Sequence, residues 1–198
     1  MTPYMRDNEF EYFEKLFASL PNNAKIVEWG SGGSTMYMLD NLKKKQTLMS
    51  IEHDTEWAKK LIGPIDNFNK KLNQVRYFVT GLPTIQCEKD GLVFINPDFE
   101  EHKKFQMGRF LEENPSYISN YIDPTYAHAD FADVFESDFF FVDGLARGAV
   151  LATIKAKATK KDPIILLHDY TGRELQYEWA IRLFKIRDTH ETFISLIK

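Results

Sequence analysis

Apolar and polar positions change period several times along the chain. Residues 6–20 carry Phe10, Phe13, Leu16, Phe17 and Leu20 at helical spacing, and Pro-Asn-Asn ends the pattern. Residues 26–29 predict a short strand. Ser34 to about Lys44 predicts a helix opened by a Ser/Thr cap. Strands are expected at 47–52 and 74–79. Between them "DTEWAKKLIG" predicts a helix capped by Asp54 and ending near Gly63. A further strand fits 91–96, and 98–114 reads as a solvated helix. Residues 115–131 hold two prolines and three tyrosines and follow no period. Continuous apolar runs at 138–143 and 163–168 predict strands buried on both faces, separated by a helix over 144–161. A helix near 174–183 and two closing strands, near 184–188 and 192–197, complete the pattern.

Strands alternating with helices predict an α/β fold. Its sheet is mostly parallel with helices on both faces, and the closing strand pair is antiparallel. The 198 residues suit one domain, with 96–134 as an inserted cover over the ligand edge. The chain is 43% apolar, enough for a full core. A net charge of −4 argues against a broad phosphate-binding surface, and so against nucleic acid. The polar start "MTPYMRDNEFEYF" and the lack of a long apolar run point to a soluble, cytoplasmic protein with no membrane partner. The single Cys87 fits a reducing compartment. The sequence does not address oligomeric state.

Ligands of such sheets bind beyond the carboxyl ends of the strands. Those ends carry Gly30, Glu52, Asp143 and the pair His168 and Asp169. Residues 30–33, "GSGG", hold three glycines in four positions, where a ligand can touch bare backbone and meet a helix start. The dinucleotide pattern G-x-G-x-x-G fails at Thr35, and no Gly-Lys-Ser/Thr follows. An ordinary strand-to-helix turn would also account for the glycines. Glu28 sits just before them and Glu52 ends the next strand, where an acid can accept from both ribose hydroxyls. A ligand with a ribose and a positive charge but no pyrophosphate fits this set, and S-adenosylmethionine is such a ligand.

"VEWGSGGST" followed by "SIEHDTEW" resembles motifs I and II of the class I S-adenosylmethionine-dependent methyltransferases. "VDGLARGAVLATI" and "IILLHDYTGRELQY" resemble the later half of a subgroup. In it one strand ends in Asp-Gly before a basic residue, and the next ends in His-Asp-Tyr before an arginine. The subgroup is similar to small-molecule and sugar O-methyltransferases, including macrocin-type and glucuronoxylan-type enzymes. The resemblance covers residues 25–80 and 137–180. It implies a Rossmann-like class I fold and O-methylation of a small molecule or saccharide. It also implies cofactor contacts from Glu28, Gly30, Ser31, Gly32, Ser34, Thr35, Glu52 and Asp143. The usual adenine contact after the third strand is missing from "VTGLPT", and residues 81–135 match nothing in the family.

A hydroxyl acceptor needs a base or a cation to stabilise developing alkoxide. Asp143, His168 and Asp169 stand where that help is required, with His168 as general base. In metal-dependent relatives, carboxylates at these strand ends hold a divalent cation. Asp143 and Asp169 are therefore candidate ligands for magnesium or another divalent cation. Helix caps and a hydrogen-bonded structural histidine are the plainer alternatives. Arg147 and Arg173 are candidates to clamp an acidic group on the acceptor, or are simply solvated helix charges. Tyr117, Tyr121, Tyr126 and His128 either line an acceptor pocket or pack the insertion onto the sheet. Two other functions stay open. Asn96-Pro97-Asp98-Phe99 resembles, with Asp98 in place of a proline, the motif of amino-methylating enzymes acting on nucleic acid or protein. A catalytically idle binding module could also keep the same fold.

Overall fold

The buried runs form the middle of a single sheet. The computed structural model describes residues 3–72, 74–80, 92–95, 115–127 and 129–198. In chain order the elements are α1 (Asp7–Ser19), β1 (Lys25–Trp29), α2 (Gly33–Asn41), β2 (Thr47–Glu52), α3 (Thr55–Leu72), β3 (Val75–Thr80) and β4 (Leu92–Ile95). Then come α4 (Pro115–Ile122), three short 3-10 turns, β5 (Phe139–Val142), α5 (Arg147–Lys157), β6 (Ile164–Leu167), α6 (Glu174–Ile181), β7 (Lys185–His190) and β8 (Phe193–Ile197). The sheet order is β4-β3-β2-β1-β5-β6-β8-β7. All pairs from β4 to β6 are parallel; β8 runs antiparallel to both β6 and β7. No helix among the described residues is long and apolar enough to cross a membrane.

Side-chain alternation explains the continuous apolar runs. In β5, Phe139 and Phe141 join a core with Phe13 and Phe17 of α1 and Leu61 of α3. Phe140 and Val142 point the other way, to Trp29, Leu151 of α5 and Ala180 of α6. Both faces are covered, so no polar position interrupts the strand.

Several local expectations are corrected. The N-cap of α2 is Gly32 and not a Ser or Thr. Ser34 turns its hydroxyl inward to Glu28, and Thr35 Oγ1 accepts from the Gly32 amide at 2.7 Å. Asp54 does cap α3, accepting from the Trp57 amide at 3.0 Å. That helix continues through Gly63 and Pro64, because Ala58, Leu61 and Ile65 keep one face fully buried. Packing there outweighs two residues of poor helix propensity. Residues 96–114, including the whole Asn-Pro-Asp-Phe segment, lie outside the described residues. Part of the expected cover is described. Its Tyr121, Phe131 and Val134 are buried, with the adjoining Phe135, in the core on the Trp29 face of the sheet.

Strand order reverses between β1 and β5, and such a switch point opens a crevice at the carboxyl ends. Here two backbones touch. Gly30 has φ +92°, and a Cβ on it would lie 2.6 Å from both Cα and N of Gly144. A Cβ on Gly144 would lie 1.8 Å from the Tyr121 hydroxyl. Gly30→Ala is therefore expected to cost about 2–5 kcal/mol, from a left-handed conformation and a backbone clash. Urea unfolding checks this, and a mutant within ~0.5 kcal/mol of wild type would show that the two turns separate easily.

Candidate functional site

Two cavities open beside this contact. The first, about 280 Å³, is bordered by residues 30–34, Glu52, Trp57 and Asp143. Its floor is the glycine turn. The Gly30 amide donates to Ile51 O at 2.8 Å, and Trp57 Nε1 donates to Ser31 O at 2.7 Å. Gly32 differs from Gly30. A Cβ there would meet only the Trp57 ring, at 3.8 Å, an ordinary contact. The protein itself does not require that glycine.

The two glutamates behave differently from each other. Glu52 is 2% exposed. One oxygen accepts from the Ser31 amide and hydroxyl, both at 2.8 Å. The other accepts from the amides of His53 and Asp54, at 2.7 and 2.8 Å. Its four lone-pair directions are thus used to join the two turns. Holding two ribose hydroxyls would require it to release some of these donors. The Ser31 hydroxyl proton is committed to Glu52, so Tyr77, at 2.8 Å, donates to Ser31. Burial raises the Tyr77 pKa well above the usual phenol value.

Glu28 lies beneath the turn and not on the cavity wall. It is fully buried and accepts from the hydroxyls of Ser34, Thr35 (2.6 Å) and Ser50 (2.8 Å). Thr35 is equally buried. Burial pushes the Glu28 carboxyl up to about 7, and the three hydroxyls offset only part of that.

The second cavity, about 310 Å³, is bordered by Arg6, Glu9, His168, Asp169 and Thr192. Tyr4 and Met5 border both cavities. His168 Nδ1 lies 2.9 Å from Asp143 Oδ1, and its Nε2 is 3.9 Å from Glu9 Oε2. Burial favours the neutral imidazole, but Asp143, Asp169 and Glu9 outweigh it and hold the pKa above the ordinary histidine value. Burial also opposes ionisation of Asp169, yet His168, Arg147 and Arg173 bring its pKa below the usual carboxylate value. Glu9 is likewise lowered against its burial, by the Arg6 amide, the Thr192 hydroxyl and His168.

Arg147 joins the ends of β5 and β6. Its Nε donates to Gly144 O at 3.0 Å, and Nη1 to His168 O and Asp169 Oδ2 at 2.9 and 3.1 Å. Nη2 reaches Asp143 O at 2.9 Å and Asp143 Oδ1 at 3.2 Å. All five N–H directions of the guanidinium face the protein, leaving none for an acceptor's acidic group. The staple spans two non-glycine residues with positive φ, Ala146 (51°) and Asp169 (56°). Arg173 is half exposed and only 3.6 Å from Asp169.

Ligand atoms of Asp143, His168 and Asp169 lie within 4.8 Å of one another, as the expected cation centre requires. Arg147 is paired with both carboxylates, so a fixed positive charge already occupies that place. A divalent cation does not fit this arrangement. Tyr121 also departs from the expected pocket lining: it is fully buried, and its hydroxyl accepts from the Leu145 amide at 3.0 Å. The side chain of Tyr117, and His128, lie outside the described residues. Tyr126 is exposed.

Glu9 was missed in the sequence, although a signal exists. It lies four residues before Phe13 and eight before Phe17, so a charge occupies the buried stripe of α1. Thr192 and residues 4–6 carry no comparable signal.

No protein-family model matches the chain, and no curated protein matches its sequence. Solved structures do match. An S-adenosylmethionine-dependent O-methyltransferase from Thermotoga maritima aligns with 100% of this chain and 67% of its own, at 9% identity and a TM-score of 0.55. Fibrillarin from Aeropyrum pernix, with natively bound S-adenosyl-L-methionine, aligns with 89% of this chain and 68% of its own, at 13% identity and TM-score 0.50. Precorrin-6y C5,15-methyltransferase from Geobacter metallireducens aligns with 100% and 90%, at 9% identity and TM-score 0.50. The chain therefore has the Rossmann-like fold of class I methyltransferases, here with an antiparallel C-terminal strand.

Two outcomes follow from these environments. Arg147→Lys keeps a charge but cannot span five acceptors, and is expected to cost on the order of 2–4 kcal/mol. Arg173→Ala should leave the unfolding midpoint unchanged; equal losses would remove the distinction. Glu28 has a folded pKa of about 7, above the ordinary 4.5, so the native state binds its proton more tightly. Its stabilising contribution is complete below about pH 4.5 and is lost as pH rises through 7, on the order of 3 kcal/mol. Urea unfolding at pH 5 and pH 8 should show a smaller fall for Glu28→Gln than for wild type. Parallel curves would mean that Glu28 stays ionised.

Proposed function

We propose that the protein is an S-adenosylmethionine-dependent methyltransferase acting on a hydroxyl of a small molecule or saccharide. The observation that carries this reading is the pair of cavities at the switch point. One is floored by bare glycine backbone and the other by a carboxylate-supported histidine, and they meet at Asp143 and His168. The fold shared with methyltransferases supports it.

Gly30, Ser31, Gly32, Ser34 and Asp143 would receive the methionine part of the cofactor, and Glu52 the ribose side. Bound there, the cofactor supplies an electrophilic methyl group for in-line transfer. Asp143 fixes His168 by holding Nδ1. Nε2 is then the ring atom left to take the acceptor's proton. The raised pKa means that His168 becomes a base only above the ordinary histidine range, so turnover should rise toward alkaline pH. Asp169 borders the acceptor side, and Arg173 lies behind it at 3.6 Å. Arg147 and Tyr121 act by holding the turns. No cation is part of the proposal.

Calorimetry with S-adenosylmethionine tests the cofactor half. Wild type should bind, and Gly32→Val should bind at least ~10-fold more weakly with unchanged stability, since the added side chain would meet the cavity and not the core. Absence of binding by wild type, or equal affinity in the folded mutant, would overturn the assignment.

A further inference from the structure

Of the six large hydrophobic residues strongly exposed among the described residues, four fall within 175–186. The inward face of α6 is conventional, with Tyr177, Ala180 and Ile181 buried against α5. The outward face is also apolar. Leu175 is 88% exposed and Trp179, one turn later, 55%. Leu183 continues the row in the following turn, and Ile186 extends it onto β7, the open edge of the sheet. A solvated helix face would be polar. A contiguous apolar patch of this kind marks a surface that is covered in use.

The charges around the patch select its occupant. Glu174 and Glu178 flank its beginning; Arg182, Lys185 and Arg187 flank its end, all exposed. Glu178 and Arg182 also pair with each other within the chain, and Arg173, the one base at the acidic end, lies 3.6 Å from Asp169. Asp188, the one acid at the basic end, interacts with Tyr12 of α1. The surface is acid at one end and basic at the other, with apolar residues between. A two-fold axis near Trp179 would set Leu175 of one copy against Leu183 of the other. It would bring the two Trp179 rings together, and the acidic end of each copy would face the basic end of its mate. Such a surface is self-complementary in the antiparallel sense that a two-fold interface requires. A parallel arrangement would oppose like charges.

We propose that this face is a homodimer interface: α6, its C-terminal turn and the exposed side of β7 pack against a second copy of the chain about a two-fold axis. The interface would adjoin the site. A Cβ on Gly148 would lie 2.8 Å from the Trp179 ring, and Gly148 follows the Arg147 staple directly. Pinning Trp179 between copies would therefore hold the start of α5, and with it the turn that carries Asp143.

Sedimentation velocity of the full chain, from about 1 to 100 μM, reads the outcome without any substrate. Wild type should sediment as a dimer across the upper part of this range. Leu175→Glu should be monomeric at the same concentrations, with unchanged circular dichroism and the thermal midpoint of wild type diluted into its monomer range, since in the single chain that side chain touches solvent. Glu174→Arg should weaken the dimer several-fold, and adding Lys185→Glu should restore it. A monomeric wild type at 100 μM overturns the proposal. So does a Leu175→Glu dimer, which would place association on another face of the molecule. Failure of the charge-swapped pair to recover would overturn the two-fold register.

Discussion

Everything at the site hangs on one close approach, the backbone of Gly30 against that of Gly144. Strands β1 and β5 are neighbours in the sheet, but their connections leave in opposite directions. The turns that follow must pass within van der Waals contact before they diverge. Neither can carry a side chain: Gly30 would strike backbone, and Gly144 would strike the Tyr121 hydroxyl. The contact also aligns the polar groups. The Asp143 amide donates to Trp29 O at 2.9 Å, which sets the Asp143 carboxylate at the edge of the glycine turn. A ligand on residues 30–33 therefore meets Asp143 without any further folding. Of the glycines compared, Gly30 is fixed by the protein. Gly32, with room for a Cβ, is the one whose bareness still asks for a ligand.

Carboxylates take four different roles within this small region, and the donors around each decide which. Glu28 receives only hydroxyl bonds in a dry place, so burial wins and the carboxyl is pushed up. Glu9 is nearly as buried, but a backbone amide and a charged imidazole reverse the balance. Glu52 gathers three backbone amides and a hydroxyl and works as a tie between two turns. Asp169 leans on arginine and histidine. Desolvation alone accounts for Glu28 but gives the wrong direction for Glu9 and Asp169, where it must be set against the specific donors. The guanidinium of Arg147 matters most here, because it neutralises two carboxylates that would otherwise repel across neighbouring strand ends. A bound cation could serve that purpose in principle. This chain carries its own.

The sequence made the sheet legible where one force dominated. The runs at 138–143 and 163–168 have no polar interruption because both faces are covered, and no other arrangement uses such a run so simply. The strand-end residues followed from topology, since a parallel sheet presents all its carboxyl ends on one edge. Local rules failed where tertiary contacts overrode them. Gly63 and Pro64 signal a helix end, yet three buried residues carry α3 past them. Ser34 suits a cap, yet a buried carboxylate on the strand just before it takes its hydroxyl. Arg147 resembled a ligand clamp because the sequence cannot show that five acceptors converge on it from two loops. Glu9 was the avoidable miss, as a charge on a core stripe is visible without coordinates.

The two cavities differ in how far apart their walls lie along the chain, and that difference separates what could be read from what could not. Apart from Tyr4 and Met5, the first cavity is built from residues 30–57 with Asp143 and Gly144, chiefly two consecutive strand-to-helix units whose spacing is short and patterned. The second joins α1 near the start, β6 in the later half, and the β7–β8 turn near the end. Its cohesion depends on pairings such as Thr192 with Glu9 at 2.7 Å and Asn8 with Glu191 at 2.6 Å, each across 183 positions. No local pattern announces contacts of that range. Under the proposed function the first cavity would have to suit a chemically fixed cofactor, while the second is assembled from three separate surfaces. Met5 and Tyr4, which border both, sit on the short run leading into α1. The same helix that buries Phe13 and Phe17 thus sets the distance between the two compartments, and its packing on the sheet is part of the geometry that any transfer between them must use.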